Sequence, residues 1–145
     1  MSDEHFIGLH SYRIEGTWVH WKPRGTVRLS DAQAVTMLYQ EMISRNGRML
    51  LLVDLADLDK AMPEARKHFV SWLQTTGNGA RMAVAPFGAN LIAAAIATLL
   101  ASATRRLARY APRVRICADR ATARAWLTEQ ERLLSTASGA SLKNL

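Results

Sequence analysis

Three carboxylates, Asp54, Asp57 and Asp59, follow closely on one another at the end of an apolar run, Met49-Leu50-Leu51-Leu52-Val53. Carboxylates at such spacing could hold a cation or divide the roles of acid and base between them. Lys60 and Arg66 stand near enough in sequence to pair with them, and the plainer reading is a solvated acidic loop. The four histidines are His5, His10, His20 and His68. None has the helical spacing of a metal-ligand pair, and the single cysteine, Cys117, has no partner motif, so no metal site is expected. Neither form of glycine-rich phosphate loop occurs. Gly77-Asn78-Gly79 precedes a strand rather than a helix and reads as a turn. A serine-centred nucleophile elbow is missing as well. The expectation is a chain with no catalytic residues, no cofactor and no enzymatic activity.

Charge is the second chemical feature. Of 145 residues, 19 are Lys or Arg and 12 are Asp or Glu, a net charge of +7. The last third, residues 103–145, carries nine basic residues against three acidic ones. Arg105, Arg106, Arg109, Arg113, Arg115, Arg120 and Arg124 dominate it. Such a segment suits nucleic acid, anionic lipid or an acidic protein, or is simply a solvated face. Nucleic-acid binding usually adds exposed aromatics or a reading motif, and Tyr110 is the one aromatic candidate, so nucleic acid is not the expected partner. Arg105, Arg106 and Arg109 stay as candidate anion contacts.

The elements that would position these groups follow from periodicity. Leu9–Ile14 and Thr17–Arg24 read as a hairpin turning at Glu15-Gly16. If Ile14 pairs with Thr17, Tyr12 faces Val19 and His10 faces Trp21. Ser30 with Gln33 reads as a capping box for a helix whose buried stripe is Ala34, Met37, Leu38, Met42 and Ile43, ended by Asn46-Gly47. The apolar run is the central strand, through Leu55. Pro63 suits the first position of a second helix, with Ala65, Phe69, Trp72 and Leu73 inward. Arg81–Pro86 is a strand, Asn90 to about Tyr110 a third helix, Arg113–Ala118 an edge strand, and Asp119 caps a last helix through Leu134. The order is β-β-α-β-α-β-α-β-α. It implies an α/β domain with a mixed, mostly parallel sheet of about five strands and four helices. Residues 1–8 read as a flexible N-terminus, 9–134 as one domain and 135–145 as a flexible tail.

Two surfaces invite a partner. The third helix buries Leu91, Ile92, Ile96, Leu99, Leu100 and Leu107, yet its other side offers Ala93, Ala94, Ala97 and Ala101. An alanine face permits close approach by a second copy or another protein, although alanine is also simply the best helix former. Trp18 alternates out of phase with Val19 and Trp21, so it either forms an exposed patch or meets a covering helix. The longest apolar run, about Leu91 to Ala103, is too short to span a bilayer. The start, Met-Ser-Asp-Glu-His-Phe, lacks the apolar core of a signal peptide. With the lone cysteine, a reducing, cytoplasmic setting is expected.

Three patterns in this order resemble the STAS-like, or SpoIIAA-like, family around the bacterial anti-sigma-factor antagonists. They are Gly25 through Ser30-Asp31-Ala32, then Leu52-Val53-Asp54-Leu55 followed by Pro63-Glu64-Ala65-Arg66, and Ala123-Arg124-Ala125-Trp126-Leu127. The resemblance spans about residues 9 to 134. It implies protein binding and regulation rather than catalysis. In the family's phospho-regulated members a partner kinase modifies a serine at the start of the second helix. That position falls near Asp59 to Met62, and no Ser or Thr lies between Leu50 and Val70. Asp57, Asp59, Lys60 and Met62 therefore form a switch-like loop without its switch, and any contact made there is expected to be constitutive. A related SEC14-like branch implies the alternative: a carrier of lipid or another small apolar ligand, in a pocket between the third helix and the sheet.

Overall fold

Five consecutive apolar residues can form a strand only where both sheet faces are covered. A computed structural model, which describes residues 3–75, 81–88, 98 and 113–143, places them so. Four strands precede the first helix: β1 (His5–Ile7), β2 (His10–Glu15), β3 (Trp18–Lys22) and β4 (Gly25–Val27). Then come α1 (Leu29–Asn46), β5 (Arg48–Asp54), β6 (Leu58–Ala61) and α2 (Pro63–Thr75). The chain continues with β7 (Arg81–Phe87), β8 (Arg113–Val114) and a last helix, here α3 (Arg120–Lys143). Among the described residues the main sheet has six strands in the order β1-β2-β3-β5-β7-β8, and β4 with β6 makes a two-stranded sheet.

The architecture is α/β with a mixed sheet. The pairings β3–β5, β5–β7 and β7–β8 are parallel; β1–β2 and β2–β3 are antiparallel. Met49, Leu51 and Val53 point to the face covered by α1 and α2, with Val19, Trp21, Val35, Tyr39, Met42, Ala65 and Trp72. Leu50 and Leu52 point to the other face, against Ala83, Ala85, Phe87, Cys117 and, from α3, Ala123 and Leu127. Each fully buried Val, Leu, Met or Phe side chain among them is worth about 1.5–3 kcal/mol. The third helix expected at 90–110 lies outside the described residues except at Thr98, which is helical. Among the described residues no helix is long and apolar enough to cross a membrane.

Several expectations are corrected. The hairpin pairs Ile14 with Val19 and Tyr12 with Trp21, two residues away from the register read in the sequence. Its two-residue loop is Gly16-Thr17, with Gly16 at φ 62° and no non-glycine residue at positive φ, the pattern of a type II′ turn. A slip of two preserves every side chain's face, so His10 and His20 still lie on opposite sides. His5–Ile7 is a strand on the edge of β2 rather than a frayed leader, because Ile7 and His10 close a tight turn at Gly8. Asp57 to Ala61 is not a free loop: β6 lies along β4, an extra pairing that a four-residue strand signals poorly. The α1 cap sits at Arg28, whose backbone N–H donates to Asp31 Oδ2 at 2.9 Å; Ser30 is already inside the helix. Of the expected stripe Met42 is buried and Leu38 and Ile43 pack partly buried on the core, while Met37 is exposed; the fully buried positions are Ala32, Val35, Thr36, Tyr39 and Met42. By backbone, α3 continues to Lys143, past the expected end at Leu134.

Candidate functional site

Asp54 ends β5 with its side chain on the α3 face. Its Oδ1 accepts the backbone N–H of Ala56 at 3.1 Å. Its Oδ2 lies 3.3 Å from an Arg120 guanidinium nitrogen and 3.9 Å from Lys22 Nζ. Lys22 also reaches Asp57 Oδ2, at 3.4 Å. The Arg120 guanidinium lies over the Phe87 ring, 5.1 Å from its centroid. The sheet builds this cluster, since Asp54 and Phe87 are neighbours in the β5–β7 register and Arg120 is the first residue of α3. Two of the three sequence-predicted carboxylates thus meet, through a shared lysine, while Asp59 stands apart, exposed on β6. A carboxylate flanked by two cations is suited to tying elements together. Lys22 is 35% and Arg120 49% exposed, so each pair contributes only about 0–1 kcal/mol.

The switch-like segment is built by backbone bonds. Lys60 pairs with Thr26 and Ala61 with Val27. The Met62 N–H donates to Val27 O at 2.9 Å, and Arg66 N–H to Met62 O at 3.0 Å, which starts α2. Around it, Thr26, Arg28, Leu29, Lys60, Met62 and Glu64 line an open groove of about 400 Å³.

Of the histidines, His10 is fully buried and occupied. Its Nδ1 accepts the Arg24 N–H at 2.9 Å, which leaves Nε2 to donate to Asp31 Oδ2 at 3.1 Å. Asp31 thereby joins β2 to the start of α1, a role the sequence reading missed. Nothing in a single Asp within a capping pattern signals a second partner 21 residues away. His68 Nε2 lies 2.8 Å from Thr36 Oγ1. Trp18 meets a covering helix: its indole N–H donates to Glu131 Oε2 at 2.7 Å, and the Arg124 guanidinium lies over its ring at 5.5 Å. Arg120 and Lys22 were also missed as partners of Asp54, because the topology alone brings them together. Burial pushes the Cys117 thiol up, away from the thiolate form that nucleophilic chemistry needs. Among the described residues no three His, Cys, Asp or Glu side chains gather as a metal ion requires. The candidates Ala93, Ala97, Ala101, Arg105, Arg106 and Arg109 lie outside the described residues, as does one wall of the expected apolar-ligand pocket.

No family model and no curated protein matches the sequence. Solved structures do. An uncharacterized protein of the DUF3478 family from Shewanella loihica PV-4, described as having a SpoIIAA-like fold, superposes over 88% of this chain and 92% of its own. The TM-score is 0.51 and the identity 19%. The fold is SpoIIAA-like. The likeness carries the architecture and not a function. A second structure, of Mglu in its native form, aligns with 52% of this chain and 23% of that one, at 18% identity and a TM-score of 0.37. Of the switch-like loop expected from the sequence, Asp59 and Lys60 lie on β6 and Met62 at the β6–α2 junction, with Asp57 just before β6.

Proposed function

We propose that this chain is a non-catalytic, STAS-like interaction module of the cytoplasm, which docks a protein partner or a second copy constitutively through the β6–α2 junction. One observation carries the reading: the segment from Leu58 to Met62 is held on β4 by backbone pairing and has no hydroxyl from Leu50 to Val70. A phosphorylatable hydroxyl would make the contact conditional. A paired strand edge with exposed Asp59 and Lys60 beside Met62 instead offers one preformed surface, which lowers the ordering cost of binding. The Asp54 cluster supports the non-catalytic part, since its carboxylate is already engaged by Arg120, Lys22 and the Ala56 N–H.

The test compares the full chain with a Lys60→Glu/Met62→Asp variant of unchanged thermal stability. Light scattering reads self-association, and crosslinking in the native host followed by mass spectrometry reads partners. A complex formed by the parent and lost in the variant is the expected result. A complex equally strong in both removes the junction as the contact, and turnover of a substrate abolished by Asp54→Asn removes the non-catalytic reading.

A further inference from the structure

On the sheet face covered by α3, the strands β2, β3 and β5 leave a cleft of about 200 Å³ beside the first turn of the helix. Its lining includes Ser11, Arg13, His20, Lys22, Arg24 and Arg120. Arg13 and His20 are cross-strand neighbours, as are Ser11 and Lys22, so the register sets two polar pairs side by side on one face. His20 is only 7% exposed. Neither of its ring nitrogens makes a hydrogen bond to any described residue, although Glu15 Oε2 stands 3.5 Å from Nε2. The Nε of Arg24 is likewise buried without a partner. Buried donors in native proteins are nearly always satisfied, and an orphan costs about 1–3 kcal/mol. Both residues line the cleft, and an orphaned N–H on each points to a ligand that supplies acceptors.

Charge selects the ligand's class. Four Arg or Lys side chains line the cleft against two carboxylates, Glu4 and Asp54, an excess of two positive charges with His20 neutral. Asp54 already engages Lys22 and Arg120, which leaves Arg13, Arg24 and His20 as the basic side chains of the lining that make no hydrogen bond to another described side chain. The dipole of α3, whose first turn carries Arg120, adds to the attraction for a negative group. The volume lies below the roughly 300–1,000 Å³ of pockets that enclose drug-sized ligands, too small for a nucleotide.

We propose that this cleft binds a small dianionic oxyanion of the phosphate type, either orthophosphate or the phosphate group of a small phosphomonoester, through His20, Arg24 and Arg13. The site lies on the opposite sheet face from the helices α1 and α2, and its occupancy is independent of docking at the β6–α2 junction. In this reading the orphaned donors are ligand contacts left ready by the sheet.

The test is a titration of the full chain with sodium phosphate, glycerol phosphate and sodium acetate, read by imidazole resonances in heteronuclear NMR. Phosphate is expected to shift the His20 resonances saturably at millimolar concentration and to leave those of His68 in place. Arg24→Gln and Arg13→Gln, whose backbones keep their present bonds, are each expected to weaken binding about tenfold, the loss of one charged hydrogen bond. Binding of glycerol phosphate as tight as that of phosphate makes the phosphomonoester the ligand; its exclusion makes free phosphate the ligand. No saturable shift of His20, equal binding of acetate, or binding unchanged in both arginine variants overturns the proposal.

Discussion

The indole N–H of Trp18 donates to Glu131 Oε2 at 2.7 Å, joining the first residue of β3 to the middle of α3 across 113 residues of chain. The same carboxylate accepts the Thr17 hydroxyl at 3.2 Å. This contact fixes where α3 lies on the sheet, and with it where Arg120 meets Asp54. A hydrogen bond to a charged, part-buried acceptor is worth about 1.5–3 kcal/mol. Trp18→Phe should therefore lower stability by about 2 kcal/mol in urea unfolding. In a double-mutant cycle with Glu131→Ala, which removes the acceptor, the two changes should couple by about 1 kcal/mol or more. Additivity within about 0.5 kcal/mol would mean that α3 is held by its apolar stripe alone.

Gly47 closes α1 at φ 75°, and its N–H donates to Ile43 O at 2.8 Å. A Cβ there would meet nothing within 4 Å. The cost of Gly47→Ala is then purely conformational, about 1–2 kcal/mol. Gly47→Asn should lose distinctly less, because asparagine tolerates the left-handed region. Thermal unfolding of the two variants separates these outcomes, and equal losses would point to a steric cause instead.

The helix stop at Gly47, the doubly buried β5 and the helix start at Pro63 were legible in the sequence because each rests on a local rule: a left-handed cap, an unbroken apolar run, a residue with no N–H to satisfy. The Asp54 cluster was only half legible. The carboxylate at the end of the central strand could be named, but Lys22 and Arg120 reach it from elements distant in sequence, and no spacing encodes that. Leu58–Ala61 escaped for a related reason. Its partner strand, Gly25–Val27, is three residues long, and Asp59-Lys60 reads as loop until β4 pairs with it. The cap of α1 was misplaced by two positions because Ser30 resembles a cap and Arg28 does not, while the bond that decides the matter is the one Asp31 accepts.

Asp54 plays two structural parts that substitution can separate. Asp54→Asn keeps an oxygen to accept the Ala56 N–H and removes the charge that faces Arg120 and Lys22. With both cations at least a third exposed, its cost should stay within about 1 kcal/mol and vanish in high salt. Asp54→Ala also orphans the Ala56 N–H and should cost about 1 kcal/mol more, independently of salt. Denaturant midpoints at low and high ionic strength check both statements. A salt-independent loss of several kcal/mol in Asp54→Asn would show that the ion pairs are far less screened than their exposure implies.

His20 gives the fold a pH dependence whose sign follows from its surroundings. Its pKa is held below the ordinary 6.5 chiefly by burial, with Arg13, Arg124 and Arg120 acting in the same direction and Glu15 opposing them. Lys22 and Asp54 share the cleft. The unfolded chain therefore takes up the proton at higher pH than the folded chain. Stability is complete above pH 6.5 and declines as the pH falls from 6.5 towards the folded-state pKa, below which no more is lost through this residue. His20→Leu removes the titration. It also replaces a buried polar ring lacking hydrogen bonds by an apolar group, which is close to neutral or stabilising in itself. The variant should match or exceed the parent near pH 5 and show a flatter stability profile between pH 7 and 5, measured in a buffer free of phosphate. Parallel profiles for parent and variant would assign the acid sensitivity to other groups and remove His20 as its source.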